Sequence, residues 1–216
     1  MFSRLESETV SSERAARSMA AVRELQSGLW HWEARHPEWE ERADWGPEVS
    51  SYAVDDGDRL LLFDPLSPPG ELDELAGNRE TAIVLTCPWH RRDAVALAAR
   101  LGVPIYVPPP DPPDPNPVEG HVFSAGDRLP VGVEAFPGME PNDLVLWIES
   151  RRALVTGDSL IDRGQGLEFP ADWANKGVPA EQVLAALRPL LELPVEVVLP
   201  THGAPADRAA LERALS

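Results

Sequence analysis

A chain of 216 residues with 43% apolar content can build one domain with a sizeable core, and no apolar run approaches a bilayer-spanning length. Nineteen basic against thirty-six acidic residues give a net charge of −17, which repels phosphate backbones and anionic lipid and argues against nucleic-acid and membrane-surface roles. Cys87 is the only cysteine, so no internal disulfide and no thiolate cluster is available; the N-terminal stretch lacks an apolar signal core, which makes the cytoplasm the expected compartment.

In chain order, residues 1 to about 12 are polar and serine-rich. Ala16, Met19, Ala20, Val22, Leu25 and Leu29 then recur near helical spacing and predict a short amphipathic helix over Glu13 to Leu29. Residues 1–28 accordingly read as an N-terminal extension and 29–216 as the main domain. Four of the seven tryptophans, Trp30, Trp32, Trp39 and Trp45, follow at once. Pro37 and Pro47 exclude a helix there, and strands are expected at Leu29 to Ala34 and Ser51 to Val54. Edge packing or a lid over the core is the expected use of these rings, with an aromatic ligand cage as the alternative.

Asp55-Asp56-Gly57-Asp58 turns the chain into a strand from Arg59 to Asp64, and a weak helix is expected around Glu71 to Ala76. Thr81 to Leu85, TAIVL, has the continuous apolar character of a strand buried on both faces. Arg91 to Leu101 reads as a helix closed by Gly102, and Val103 to Val107 as the next strand, which makes a right-handed crossover. Seven prolines within 108–117 predict an extended connector. Strands resume at His121 to Phe123 and Val131 to Phe136. Leu144 to Leu160, LVLWIESRRALVTGDSL, is a hairpin that delivers Gly157-Asp158 at the end of its second strand. Pro179 to Leu191 is helical, Val195 to Leu199 is a buried strand ending in Pro200-Thr201-His202-Gly203, and Ala206 to Leu215 closes as a helix.

Three strand ends therefore carry polar groups: Cys87 to Arg92, Asp158 and His202. Loops at the ends of parallel strands converge in open α/β architectures, so these residues are candidates for one site.

YAVDDGDRLLLFDP, FPGMEPNDLVLWIESRRALVTGDSL and VVLPTHGAP together resemble the metallo-β-lactamase fold superfamily, which includes glyoxalase II and many hydrolases. The resemblance runs from about Trp30 to Ser216. It implies an α/β, four-layer αββα sandwich, and it implies that Asp64 is structural, holding the metal loop by hydrogen bonds. It also implies that Asp158 is the bridging carboxylate and His202 the last histidine ligand.

The departures concern the family's H-x-H-x-D-H run. Laid on without gaps, Cys87 and Trp89 occupy its first two histidine positions, Arg91 its aspartate and Arg92 its third histidine. Met139 stands where a later histidine belongs. Trp and Arg offer no lone pair, so the ordinary two-zinc site is not expected.

Two readings follow. In one, a hydrolase of degenerate site keeps a single zinc or iron ion on Asp158, His202 and either His90 or Cys87. Its catalytic residues are then Asp158, His202, His90 and Asp93, acting on an ester, thioester or amide. In the other, no metal is bound and Arg91 or Arg92 folds inward to pair with Asp158. An inactive member of this kind would bind an anionic small molecule through Arg91 and Arg92, or a protein partner, at the remnant cleft. His31, His36 and His121 match no ligand position and are expected to pack or face solvent.

Overall fold

The computed structural model describes residues 22–129, 131–174 and 177–216. Two mixed sheets dominate it. The first contains β1 (Arg23–Gln26), β2 (Leu29–Arg35), β3 (Glu48–Asp55), β4 (Arg59–Phe63), β5 (Glu80–Val84), β6 (Ile105–Val107) and β7 (His121–Val122), adjacent in that order. β1 to β4 pair antiparallel, and β4 to β7 pair parallel. The second holds β8 (Arg128–Leu129), β9 (Val133–Pro137), β10 (Leu144–Ile148) and β11 (Ala153–Val155). After a detached ribbon of β12 (Ile161–Asp162) and β13 (Leu167–Glu168), the chain returns to the second sheet as β14 (Val197–Leu199) and β15 (Ala206–Asp207). Its strand order is β15-β14-β11-β10-β9-β8.

The sheets face one another because alternate residues of their strands are apolar on both sides. Tyr52, Phe63 and Val84 meet Leu144, Leu146 and Val155 between the sheets. The opposite face of the first sheet presents Leu60, Leu62, Ile83 and Leu85 to Leu72 of α1 (Glu71–Ala76) and to Ala94 and Leu97 of α2 (Ala94–Leu101). The outer face of the second sheet buries Val145, Trp147 and Leu154 against Val183 and Leu187 of α3 (Ala180–Leu187) and Leu211 of α4 (Arg208–Ala214). Helix, sheet, sheet and helix make the expected αββα sandwich. No helix among the described residues is long and apolar enough to cross a membrane.

Most expected elements are present, with shifted ends. α2 begins at Ala94, three residues later than expected, with Asp93 before it, and it ends at Gly102 in the left-handed conformation. The helix expected from Pro179 to Leu191 is α3 followed by a 3₁₀ segment, Arg188–Glu192. The helix expected over Glu13 to Leu29 is corrected in its described part. Arg23–Gln26 is a strand paired with β2, so the first sheet begins inside the segment assigned to an extension; residues 13–21 lie outside the described residues. A helical repeat of apolar residues at Val22, Leu25 and Leu29 gives way to the pairing that β2 offers, as tertiary context overrides weak propensity.

Strand direction decides where the functional loops emerge. β11 runs parallel to β14 with Val155 opposite Leu199, so Gly157-Asp158 and Thr201-His202 leave the sheet side by side. β4 runs parallel to β5 with Phe63 opposite Val84, which sets Asp64 beside the start of the 86–93 loop. The sheets are tied at this end by Leu144 N–H to Thr86 O (2.8 Å), Ser50 N–H to Thr201 O (2.9 Å) and the Tyr52 hydroxyl to Pro200 O (2.7 Å).

Candidate metal centre

Asp64 anchors the loop that carries the site. It is fully buried, and its Oδ1 accepts the Thr86 backbone N–H at 2.9 Å while Oδ2 accepts the Thr86 hydroxyl at 2.6 Å. His90 Nδ1 stands 3.1 Å from the same Oδ2. The structural role implied for Asp64 is what the geometry gives: three contacts fix the loop and the plane of the His90 ring. Asp64 itself has a positive φ of 43°, an uncommon conformation for a non-glycine residue and one often found at functional sites.

With its Nδ1 on Asp64, His90 directs Nε2 at Asp158, 3.3 Å from Oδ1. His202 Nε2 reaches the same oxygen, also at 3.3 Å. Neither approach forms a hydrogen bond, and Asp158 Oδ1 is buried without a hydrogen-bond partner. The other oxygen, Oδ2, accepts the Trp89 indole N–H at 2.8 Å. Cys87 is fully buried beside them, and donor atoms of Cys87, His90 and Asp158 lie within 4.8 Å of one another.

The turn that presents Asp158 is built on a second buried carboxylate. Asp143 Oδ1 accepts the Asp158 backbone N–H at 3.2 Å, and Oδ2 accepts the Ser159 hydroxyl at 2.5 Å. Gly157 has φ +52°, and a Cβ there would come within 2.4 Å of Asp143 Oδ1, so the residue before Asp158 has to be glycine.

Burial and neighbouring charge oppose each other here. Burial disfavours an ionised Asp158, but His90 and His202 outweigh it and hold the carboxyl well below its usual range. Burial also disfavours a charged His90; the neighbouring Cys87, Asp158 and Asp64 raise its pKa well above the ordinary value. Burial pushes the Cys87 thiol up, which leaves it neutral, so the two carboxylates carry that effect. Burial lowers His202 despite Asp158. Burial and the Asp158 charge push Asp143 up to about 7.

The His90 imidazole, an Asp158 oxygen without a hydrogen-bond partner and, once deprotonated, the Cys87 sulfur are donor types zinc and iron take, and His202 approaches the same Asp158 oxygen. The residues that the resemblance aligns with the family's other metal ligands, Trp89, Arg91, Arg92 and Met139, bring no imidazole or carboxylate.

The remaining expected residues lie elsewhere. Arg91 donates to Asn116 O at 3.1 Å, toward the proline-rich loop. Arg92 does fold inward, yet its Nη1 donates to Ser50 O and Asp64 O, each at 2.7 Å, and Asp158 is not its hydrogen-bond partner. These arginine hydrogen bonds go to backbone carbonyls, and the expected arginine–Asp158 pair is replaced by Trp89, His90 and His202. Asp93 Oδ2 accepts the Ser67 N–H at 2.6 Å. His31 is buried and stacked on Tyr52, in keeping with a packing role.

Sequence reasoning missed the surroundings of His202. Trp45 and Trp173 stand edge-on to its ring, with centroids 4.9 and 5.5 Å away. The indole N–H of Trp173 donates to Asp44 at 2.7 Å. The density of tryptophans before Pro47 was the available signal for Trp45; nothing in the sequence pairs Trp173 with it. A cleft of about 640 Å³ opens over Asp158, lined by Asp44, Trp89, Asp111, Met139, Glu140, Asn142 and Trp173.

A family model described as the metallo-beta-lactamase superfamily matches residues 70–202. No curated protein matches the chain. Among solved structures, the DIM-1 metallo-beta-lactamase exposed to ceftazidime has a TM-score of 0.66 at 15% identity, over 91% of this chain and 94% of that one. VMB-1 at pH 5.5 gives 0.65 at 14%, with the same coverage. A metallo-beta-lactamase from Erythrobacter litoralis with beta-mercaptoethanol in its active site gives 0.64 at 14%, over 92% of this chain and 95% of that one. These likenesses show the fold, and the match over residues 70–202 shows the family: the chain belongs to the metallo-β-lactamase superfamily.

Proposed function

We propose that the chain is a hydrolase of esters, thioesters or amides built around a single metal ion, held by His90, His202 and Asp158 with Cys87 beside them. The observation that carries this reading is the approach of two imidazole Nε2 atoms to 3.3 Å from one carboxylate oxygen that has no hydrogen bond. Two imidazole nitrogens gathered on one carboxylate oxygen, at a residue that lines an open cleft, fit the layout of a catalytic site that keeps an open position. A bound zinc or iron ion would supply Lewis acidity toward a carbonyl group and a water molecule. The chain's own residues do the rest. Asp64 holds the proton on His90 Nδ1, so that Nε2 keeps its lone pair for the site. Trp89 ties down Oδ2 and leaves Oδ1 free. Hydrolysis then joins the water oxygen to the acyl carbon and breaks the acyl bond to oxygen, sulfur or nitrogen, with one water proton passing to the leaving atom.

A second reading is supported by the raised pKa of His90. Without metal, its imidazolium lies between Asp64 and Asp158 and supplies the positive charge the site lacks, making a metal-free, non-catalytic member self-consistent. Elemental analysis of protein prepared without chelator separates the two. About one zinc or iron per chain, lost in Asp158→Ala, is expected for the first; metal-free wild-type protein would overturn it.

A further inference from the structure

The cleft over Asp158 has a chemical character that the hydrolase reading leaves unused. Among the described residues its lining includes the carboxylates of Asp44, Asp111 and Asp158, and the indoles of Trp89 and Trp173, but no arginine. Trp89 is 41% exposed, unusual for an indole that also anchors a buried carboxylate. Asp44 and Asp111 accept from neutral donors, Trp173 Nε1 at 2.7 Å and Asn142 Nδ2 at 3.3 Å, so these contacts bring no counter-charge into the wall. At the floor, Asp158 is only 8% exposed and its Oδ1 has no hydrogen-bond partner.

The ring of Trp173 already attracts one guanidinium. Arg163 lies 4.9 Å from its centroid, and that arginine is itself paired with Asp172 and Glu168 outside the cleft lining. An indole whose N–H donates to a carboxylate is a stronger π donor toward a cation. Carboxylates beside aromatic faces recognise an organic ammonium through combined charge and cation–π attraction. An acidic surface alone would hold water and sodium, whereas indoles in the same lining also cover an apolar body.

We propose that this cleft takes a substrate bearing an organic cation, an alkyl- or arylammonium group, seated against Trp89 and Trp173 between Asp44 and Asp111. The assignment of that molecule as a substrate rests on the hydrolase reading; the binding of its cationic end does not. The anion-binding role expected of Arg91 and Arg92 is thereby reversed in sign.

The test titrates full-length protein, EDTA-treated and zinc-loaded in parallel, with benzyltrimethylammonium, benzyl alcohol and benzoate, following tryptophan fluorescence and thermal shift at constant ionic strength. The cation is expected to bind saturably and about tenfold more tightly than the alcohol, with benzoate weaker still. Asp111→Asn, at the rim, should weaken the cation about threefold without altering benzyl alcohol binding. Equal binding of all three probes, tighter binding of benzoate, or a response reproduced by sodium chloride would each overturn the proposal. Zinc content, measured on the same samples, reports separately on the metal: protein that holds zinc but ignores the cation refutes only this inference, and protein that binds the cation but no zinc refutes only the metal.

Discussion

Trp89 donates its indole N–H to Asp158 at 2.8 Å from the position where the family's second histidine would stand. On the proposed reading, this hydrogen bond orients the carboxylate that would hold the metal. Trp89→Phe keeps the ring and loses the bond. Zinc affinity is expected to fall by about 10- to 100-fold, the usual effect of losing a partner that orients a ligand. The melting temperature should fall as well, because the buried Asp158 loses the hydrogen bond to its Oδ2. Competition of the variant and wild type against a fluorescent zinc chelator measures the ratio.

Ser159 joins two backbone segments under the site. Its hydroxyl donates to Asp143 Oδ2 at 2.5 Å and accepts the Met139 N–H at 2.7 Å. Ser159→Ala leaves a buried carboxylate and a buried amide each short of a partner. A loss of about 2–4 kcal/mol in unfolding free energy is expected, read from urea denaturation.

Gly157 should tolerate no side chain. Gly157→Ala puts a Cβ into a left-handed backbone and within 2.4 Å of Asp143 Oδ1. Destabilisation of about 2 kcal/mol or more is expected. The same variant should displace Asp158 and reduce metal content, measured on whatever fraction remains folded.

His31 gives the fold an acid sensitivity of its own. Burial, aided by Arg23, lowers its pKa to about 4 from 6.5, so the folded protein keeps it neutral while the unfolded chain protonates it at a higher pH. Its contribution to stability is complete above pH 6.5 and is lost progressively as the pH falls toward 4. Urea midpoints compared at pH 7 and pH 5 should fall further for wild type than for His31→Gln. Equal falls would remove His31 from the account.

The family and its layers were legible in the sequence because they depend on periodicity and on short turn motifs. FDP, GD and THG each sit where a parallel strand ends, and β4, β5, β11 and β14 deliver them together. The site was legible only in part. Asp158 and His202 stand in motifs, and His90 needed only a shift of one place to be considered. Trp89 and Arg92 were read by what they cannot do, coordinate a metal, and the positive things they do depend on distant partners. Arg92 meets Ser50 and Asp64 across 42 and 28 residues, and Trp89 meets Asp158 across 69. Asp143 gave no signal either, since an aspartate before a strand more often faces solvent. The first strand was misread as helix because its partner, β2, cannot be inferred from local spacing.

Asp111 sits in the run of seven prolines from 108 to 117, and Asn142 clamps that run by donating to Pro109 O at 3.2 Å and to Asp111 at 3.3 Å. Each proline has its φ fixed before any ligand arrives, and an extended segment without a ladder would otherwise sample many shapes. A guest meeting this wall therefore does not have to freeze it. Much of the conformational entropy that a glycine- or serine-rich loop would surrender on contact is already absent from this part of the wall in the free protein.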